Sequence, residues 1–171
     1  ILDKDHQWDY PASDKIGRAK RIVDAPGRYI VYLKNSFPQH LTLDGLRVVI
    51  DCANGASWMI AKAVFDALGA QTVIIGDQPD GLNCNKDIGS THMEKLCALV
   101  KEQKLDVGFA FDGDADRCLA VDENGNVVDG DAMMYILGLR LKNRGMLNKN
   151  TVVATVMSNS GFFASLKRAG M

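Results

Sequence analysis

The sequence predicts an α/β protein: a three-layer α/β/α sandwich on a mainly parallel sheet, with a β-hairpin and incomplete flanking domains. Three observations predict it. The short apolar runs Leu46–Ile50, Thr72–Ile75 and Val107–Phe111 have the length and apolar character of buried strands, the first of them β-branched. Stretches of helical spacing separate them, which gives strand, helix, strand, helix, strand and hence a right-handed parallel arrangement. Asn124-Gly125 lies between Leu119–Val121 and Val127–Val128, a strong hairpin signal.

Taken in order, the elements begin after a polar start. Residues 1–17 show no period; Asp3, Asp5, His6 and Asp9 read better as a solvated tail than as a ligand cluster. A short basic helix is expected from Ile16 to Val23. Asp24 is placed as an N-cap with Pro26 in the first turn. Tyr29, Ile30, Leu33 and Phe37 then follow at helical spacing, and Pro38 ends the helix. After the first strand, Asn54-Gly55 breaks the chain. Ile60, Val64, Ala67 and Leu68 mark the next helix, with Gly69 at its C-terminal cap. The loop Gly76–Gly89 is too long for a mere connection, which marks it as functional. Thr91-His92-Met93-Glu94 reads as a capping box opening a helix with Leu96, Leu99 and Val100 inward. His92 reads equally as a phosphate contact and as an exposed helix-start residue.

Beyond the hairpin, Asp131 is expected to cap a helix running through Met134, Leu137 and Leu141 to Gly145, with Asp129 and Asp131 also placed to support the acidic loop described below. A polar linker, Asn148–Asn150, leads to a strand over Thr151–Val156, a turn at Ser158–Gly161 and a helix from Phe162 to Ala169. One strand and one helix cannot bury their own apolar faces. The expected division is therefore 1–43, the tail of a preceding domain and a linker helix; 44–147, an α/β domain; and 148–171, the start of a third. An opening Ile1 and a closing Met171 fit a piece of a longer protein.

Composition narrows the function. The chain has 171 residues, 47% hydrophobic and 24% charged, with a net charge of −1. No dense basic patch supports nucleic-acid or anionic-membrane binding. No apolar run approaches the roughly 20 residues of a membrane helix, and no signal peptide is visible. Cys52, Cys84, Cys97 and Cys118 lack metal-ligand spacing and read as reduced and mostly buried, as in the cytoplasm.

The chemistry is concentrated in Asp112-Gly113-Asp114-Ala115-Asp116-Arg117, directly after the third strand. In an extended segment alternate side chains point the same way, so the three carboxylates can converge. Small spacers let the backbone curl around the point of convergence. Two unit charges about 4 Å apart repel by roughly 1 kcal/mol in water and about 4 at an effective dielectric of 20. A divalent cation turns that repulsion into attraction, and all-oxygen ligands suit Mg2+. Arg117 offers a fork that matches phosphate. In a parallel sheet the loops after all three strands share one edge, where such folds bind ligands. Two other readings remain open from the residues alone. Glu123 falls at the twelfth place of a calcium loop starting at Asp112, but Arg117 occupies the glycine position. A phosphatase using Asp112 as a nucleophile shares the strand-then-loop setting.

The acidic loop resembles the magnesium loop of the α-D-phosphohexomutases. Ile16-Gly17-Arg18-Ala19 with Asp24-Ala25-Pro26-Gly27-Arg28-Tyr29, Asp80-Gly81-Leu82-Asn83 with Gly89-Ser90-Thr91-His92, Val127-Val128-Asp129-Gly130-Asp131 and Met157-Ser158-Asn159 extend the likeness over nearly the whole chain from Ile16. The combination is most similar to the branch acting on glucosamine phosphates; a phosphomannomutase- or phosphoglucomutase-type relative is the alternative. The resemblance implies a four-domain cytoplasmic enzyme interconverting glucosamine 6-phosphate and glucosamine 1-phosphate through a phosphoserine and a bisphosphorylated sugar. It implies Asp112, Asp114 and Asp116 as Mg2+ ligands, a phosphoserine oxygen completing the site, and Arg117 as the catalytic residue that helps bind the phosphoserine phosphate. No Ser in this chain stands in the family's Ala-Ser-His-Asn-Pro-like context. The 171 residues alone are therefore expected to be inactive and to bind metal weakly.

Overall fold

The computed structural model describes residues 9–171; the tail positions Asp3, Asp5 and His6 lie outside the described residues. Five strands form one sheet: β1 (Arg47–Asp51), β2 (Gln71–Ile75), β3 (Val107–Phe111), β4 (Cys118–Val121) and β5 (Val127–Val128), in the order β2-β1-β3-β4-β5. β1 pairs in parallel with both β2 and β3, so the carboxyl ends of these three strands lie along one edge. β4 returns antiparallel to β3, and β5 pairs antiparallel to β4 around Asn124-Gly125. The expected hairpin is there, with Gly125 at φ +81.

Alternation along β1 sends neighbouring side chains to opposite faces of the sheet. Val49 joins Leu96, Val100, Leu105, Ala110 and Val121 in one apolar cluster. Val48 and Ile50 join Cys52, Ala61 and Ala70 in the other, with Phe65 and Phe109 packed against them. Helix α3 (Glu94–Gln103) covers the first face; α2 (Ala61–Ala67), backed by α1 (Ala25–Ser36), covers the second. That is the expected three-layer sandwich. Gly108 lets α3 approach β3, since a Cβ there would lie 2.9 Å from Val100 Cγ2.

Local expectations fared unevenly. Asp24 stands at the N-cap of α1, but its carboxylate takes the guanidinium of Arg28, at 2.7 Å, and caps no backbone N–H. Residues 16–22 form no helix and are exposed. A helical nucleus is costly, and this stretch has Gly17 inside it and leaves its apolar residues Ile16, Ile22 and Val23 exposed, with no packing to offset that cost. The capping box does not form either: α3 starts at Glu94, with Met93 at its cap. Ser90 and His92 donate their N–H groups to Phe111 and Gly89, which holds residues 89–92 in a turn and delays the helix.

Helix α4 (Gly130–Asn143) is capped by Asp129, whose Oδ1 accepts from Ala132 N–H at 2.8 Å, and not by Asp131. Asp131 instead accepts from the N–H of Asn159 at 2.6 Å, the N-cap of α5 (Ser160–Arg168). Thr151–Val156 is no strand: no neighbour pairs with it among the described residues, and Val156 is 98% exposed. An extended segment becomes a strand only when its N–H and C=O groups find a ladder. Of the four cysteines, Cys52 is buried, Cys97 and Cys118 are half-buried and Cys84 is exposed; all are free. Among the described residues no helix is long and apolar enough to cross a membrane.

Candidate metal centre

β3 delivers Asp112 at the carboxyl edge of the sheet, beside the ends of β1 and β2. The chain then turns tightly: Ala115 N–H donates to Asp112 O at 3.0 Å, and Ala115 lies at φ +61, in the left-handed region. This turn gathers the acidic side chains. One carboxylate oxygen from each of Asp112, Asp114 and Asp116 lies within 4.8 Å of the others. Among the described residues this is the one such group; Asp129 and Asp131 are not part of it.

Asp112 is 2% exposed. Its Oδ1 accepts from Arg117 N–H at 3.1 Å and its Oδ2 from Arg117 Nε–H at 2.7 Å. Burial pushes the Asp112 carboxyl up, but the bonds from the Arg117 backbone and guanidinium outweigh it and hold the carboxyl below its ordinary value. Arg117 is 70% exposed and its Nη groups donate to no other described residue. Asp116, also largely exposed, is pushed up by the charges of Asp114 and Asp112.

These residues fit a divalent cation. The donors are hard oxygens, and their mutual repulsion is visible in the raised Asp116. Asp112 keeps a second lone pair on each oxygen beside its bonds to Arg117. The calcium-loop reading fails on geometry: a strand, not a helix, precedes Asp112, and Glu123 sits in the hairpin turn outside the acidic group. Asp112 is also poorly placed as a nucleophile, being buried with both oxygens engaged.

The neighbouring loops shape the site. Asn85 N–H donates to Ala53 O at 2.9 Å, and Asn54 Nδ2 reaches Asn83 O at 3.4 Å, so the long loop 76–89 folds over the end of β1. A Cβ on Gly113 would meet Cys84 Sγ at 2.5 Å. Exposed His92 follows in the turn that Ser90 N–H ties to Phe111 O at the end of β3, its own N–H donating to Gly89 O. Sequence reasoning missed Asp51, the buried last residue of β1. Its signal was present: a carboxylate directly after the apolar run Val48–Ile50, on the edge where Asp112 follows Phe111.

Comparison with known proteins identifies the family. A family model described as phosphoglucomutase/phosphomannomutase, alpha/beta/alpha domain II, matches residues 27–125, and the domain III model of the same family matches residues 129–171. The chain belongs to the phosphoglucomutase/phosphomannomutase family. Among curated members, the phosphoglucosamine mutase of Nitratidesulfovibrio vulgaris strain DP4 is 53% identical over 99% of this chain and 38% of its own length. That of Acetivibrio thermocellus is 52% identical over the whole chain, again 38% of its own length. The chain thus spans well under half of these family members. Two solved structures share the fold. A phosphoglucomutase/phosphomannomutase family protein from Burkholderia thailandensis gives a TM-score of 0.60 at 22% identity, over 85% of this chain and 36% of that one. A putative phosphomannomutase from Thermus thermophilus gives 0.60 at 20% identity, over 74% and 30%.

Proposed function

We propose that this chain is the metal-binding portion of a phosphohexomutase that interconverts glucosamine 6-phosphate and glucosamine 1-phosphate through a phosphoserine enzyme and a bisphosphorylated sugar. Asp112, Asp114 and Asp116 hold Mg2+. The observation that carries the reading is their convergence at the carboxyl end of β3, with Arg117 clamped to the first of them. The names of the relatives at 51–53% identity supply the sugar.

When bound, the cation supplies positive charge against phosphoryl oxygens. Asp112 anchors Arg117 through backbone and Nε, which leaves the rest of the guanidinium fork open for a phosphate, here that of the phosphoserine. Asp114 and Asp116 close the cage from the exposed side. Phosphoryl transfer rests mainly on such positioning and charge stabilisation. We place residues up to 43 as the approach from a preceding domain, the sheet with α2 and α3 as the metal-binding domain, and α4 with α5 at the start of a further one; the 129–171 match and the Asp131–Asn159 bond favour that grouping of α4 with α5 over a boundary at 147. A cytoplasmic location is proposed on the four free cysteines.

In the full-length enzyme, Asp114→Asn is expected to abolish most turnover with the fold intact; normal turnover would overturn the metal role. The present chain is expected to show no mutase activity in a coupled assay. Isothermal titration is expected to show weak Mg2+ binding, because the phosphoserine oxygen comes from elsewhere; sub-micromolar affinity would contradict this.

A further inference from the structure

Asp51 is wholly buried at the end of β1. Its Oδ1 accepts from Ala53 N–H and its Oδ2 from Gly89 N–H, each at 2.8 Å. Burial pushes this carboxyl up, while the two N–H groups and the charge of Lys95 pull it back. An aliphatic residue would suit the apolar surroundings but would orphan two buried N–H groups. The two segments that Asp51 ties down are the ones that grip the acidic loop. Ser90, next to Gly89, donates its N–H to Phe111 O at 2.9 Å. Ala56, beyond Ala53, donates to Gly113 O at 2.8 Å. Phe111 and Gly113 flank Asp112. The fit is close: Gly89 lies at φ +87, and a Cβ there would sit 2.7 Å from Phe111 O.

We propose that Asp51 is a positioning residue for the acidic loop: one buried carboxylate joins the turns after β1 and at Gly89, and through them holds the carbonyls on either side of Asp112. The proposal rests on the metal-centre reading for its consequence, but not for its geometry. Asp51 is not one of the converging carboxylates; its own bonds go to Ala53 and Gly89.

The test is Asp51→Asn in this chain. The amide keeps one acceptor oxygen and turns the other into a donor, so one N–H loses its partner. Amide hydrogen exchange should accelerate selectively at Ala115 and Arg117, whose N–H groups bond to Asp112, while α3 amides from Leu96 to Val100 stay protected. Mn2+ affinity, read by water-proton relaxation, should fall about 10–100-fold, the usual effect of disturbing groups that orient metal ligands. Unchanged exchange at Ala115 and Arg117, or loosening spread evenly over the sheet and α3, would overturn the proposal. Should the variant not fold, exchange in the unmodified chain decides: Ala53 and Gly89 amides must be as protected as the β1 core, and fast exchange at either refutes the linkage. Normal turnover of Asp114→Asn in the full-length enzyme would strike the metal reading instead, because the exchange pattern still judges Asp51.

Discussion

Gly55 lies against Gly113 so closely that a Cβ on Gly55 would be 2.6 Å from the Gly113 Cα. The turn after β1 and the acidic loop after β3 therefore touch backbone to backbone, and Ala56 N–H seals the contact on Gly113 O. Gly55→Ala must push the acidic loop away. We expect it to cost about 1–3 kcal/mol in urea unfolding, the range for overpacking, and to weaken Mn2+ binding. Retained affinity would show that the contact does not shape the centre.

Asp116→Asn separates stability from metal binding. Asp116 is raised by the charges of Asp114 and Asp112, so its ionised form is disfavoured in the metal-free fold. A raised acid contributes stability that is fully present below its unfolded pKa and lost as pH rises through its folded one. At neutral pH, removing the charge is expected to raise the metal-free melting temperature and to lower Mg2+ affinity. A lower melting temperature would contradict this charge balance.

Acid should release the metal in a set order. As pH falls toward the ordinary carboxylate range, about 4, Asp116 takes a proton before Asp112, which Arg117 holds low. Asp112 is a depressed group: its contribution to stability is present above the unfolded pKa and is lost only as pH falls through its folded one. Mn2+ affinity measured against pH should therefore drop while the fold, followed by circular dichroism, persists. Simultaneous loss of both would contradict the order.

Leu96 is fully buried between α3 and the sheet. Leu96→Ala should destabilise by about 2–5 kcal/mol in urea unfolding, the range for a buried leucine that leaves a cavity. A loss near zero would mean that α3 is not seated on Val49 and Ala110 as described.

The strands, the hairpin and the acidic loop were legible because their signals are local. A short unbroken apolar run marks Val107–Phe111 as a buried strand, and three carboxylates at every second residue announce their shared focus. The capping box at Thr91 misled, because the two residues before it, Gly89 and Ser90, are committed to Asp51 and Phe111 across the sheet edge, and His92 N–H turns back to Gly89 O. The basic stretch 16–23 and the run Thr151–Val156 misled for a related reason: propensity without a packing or pairing partner does not make an element.

By its residues alone, the chain settled its α/β class, its family likeness and the place of its acidic loop, since composition and spacing act within a few positions. Tertiary structure decided how that loop is held. Asp51 meets Gly89 across 38 residues, and Gly55 meets Gly113 only because parallel pairing of β1 with β3 brings their ends together. Hydrogen bonds and close backbone contacts between distant segments depend on register, which no local pattern encodes.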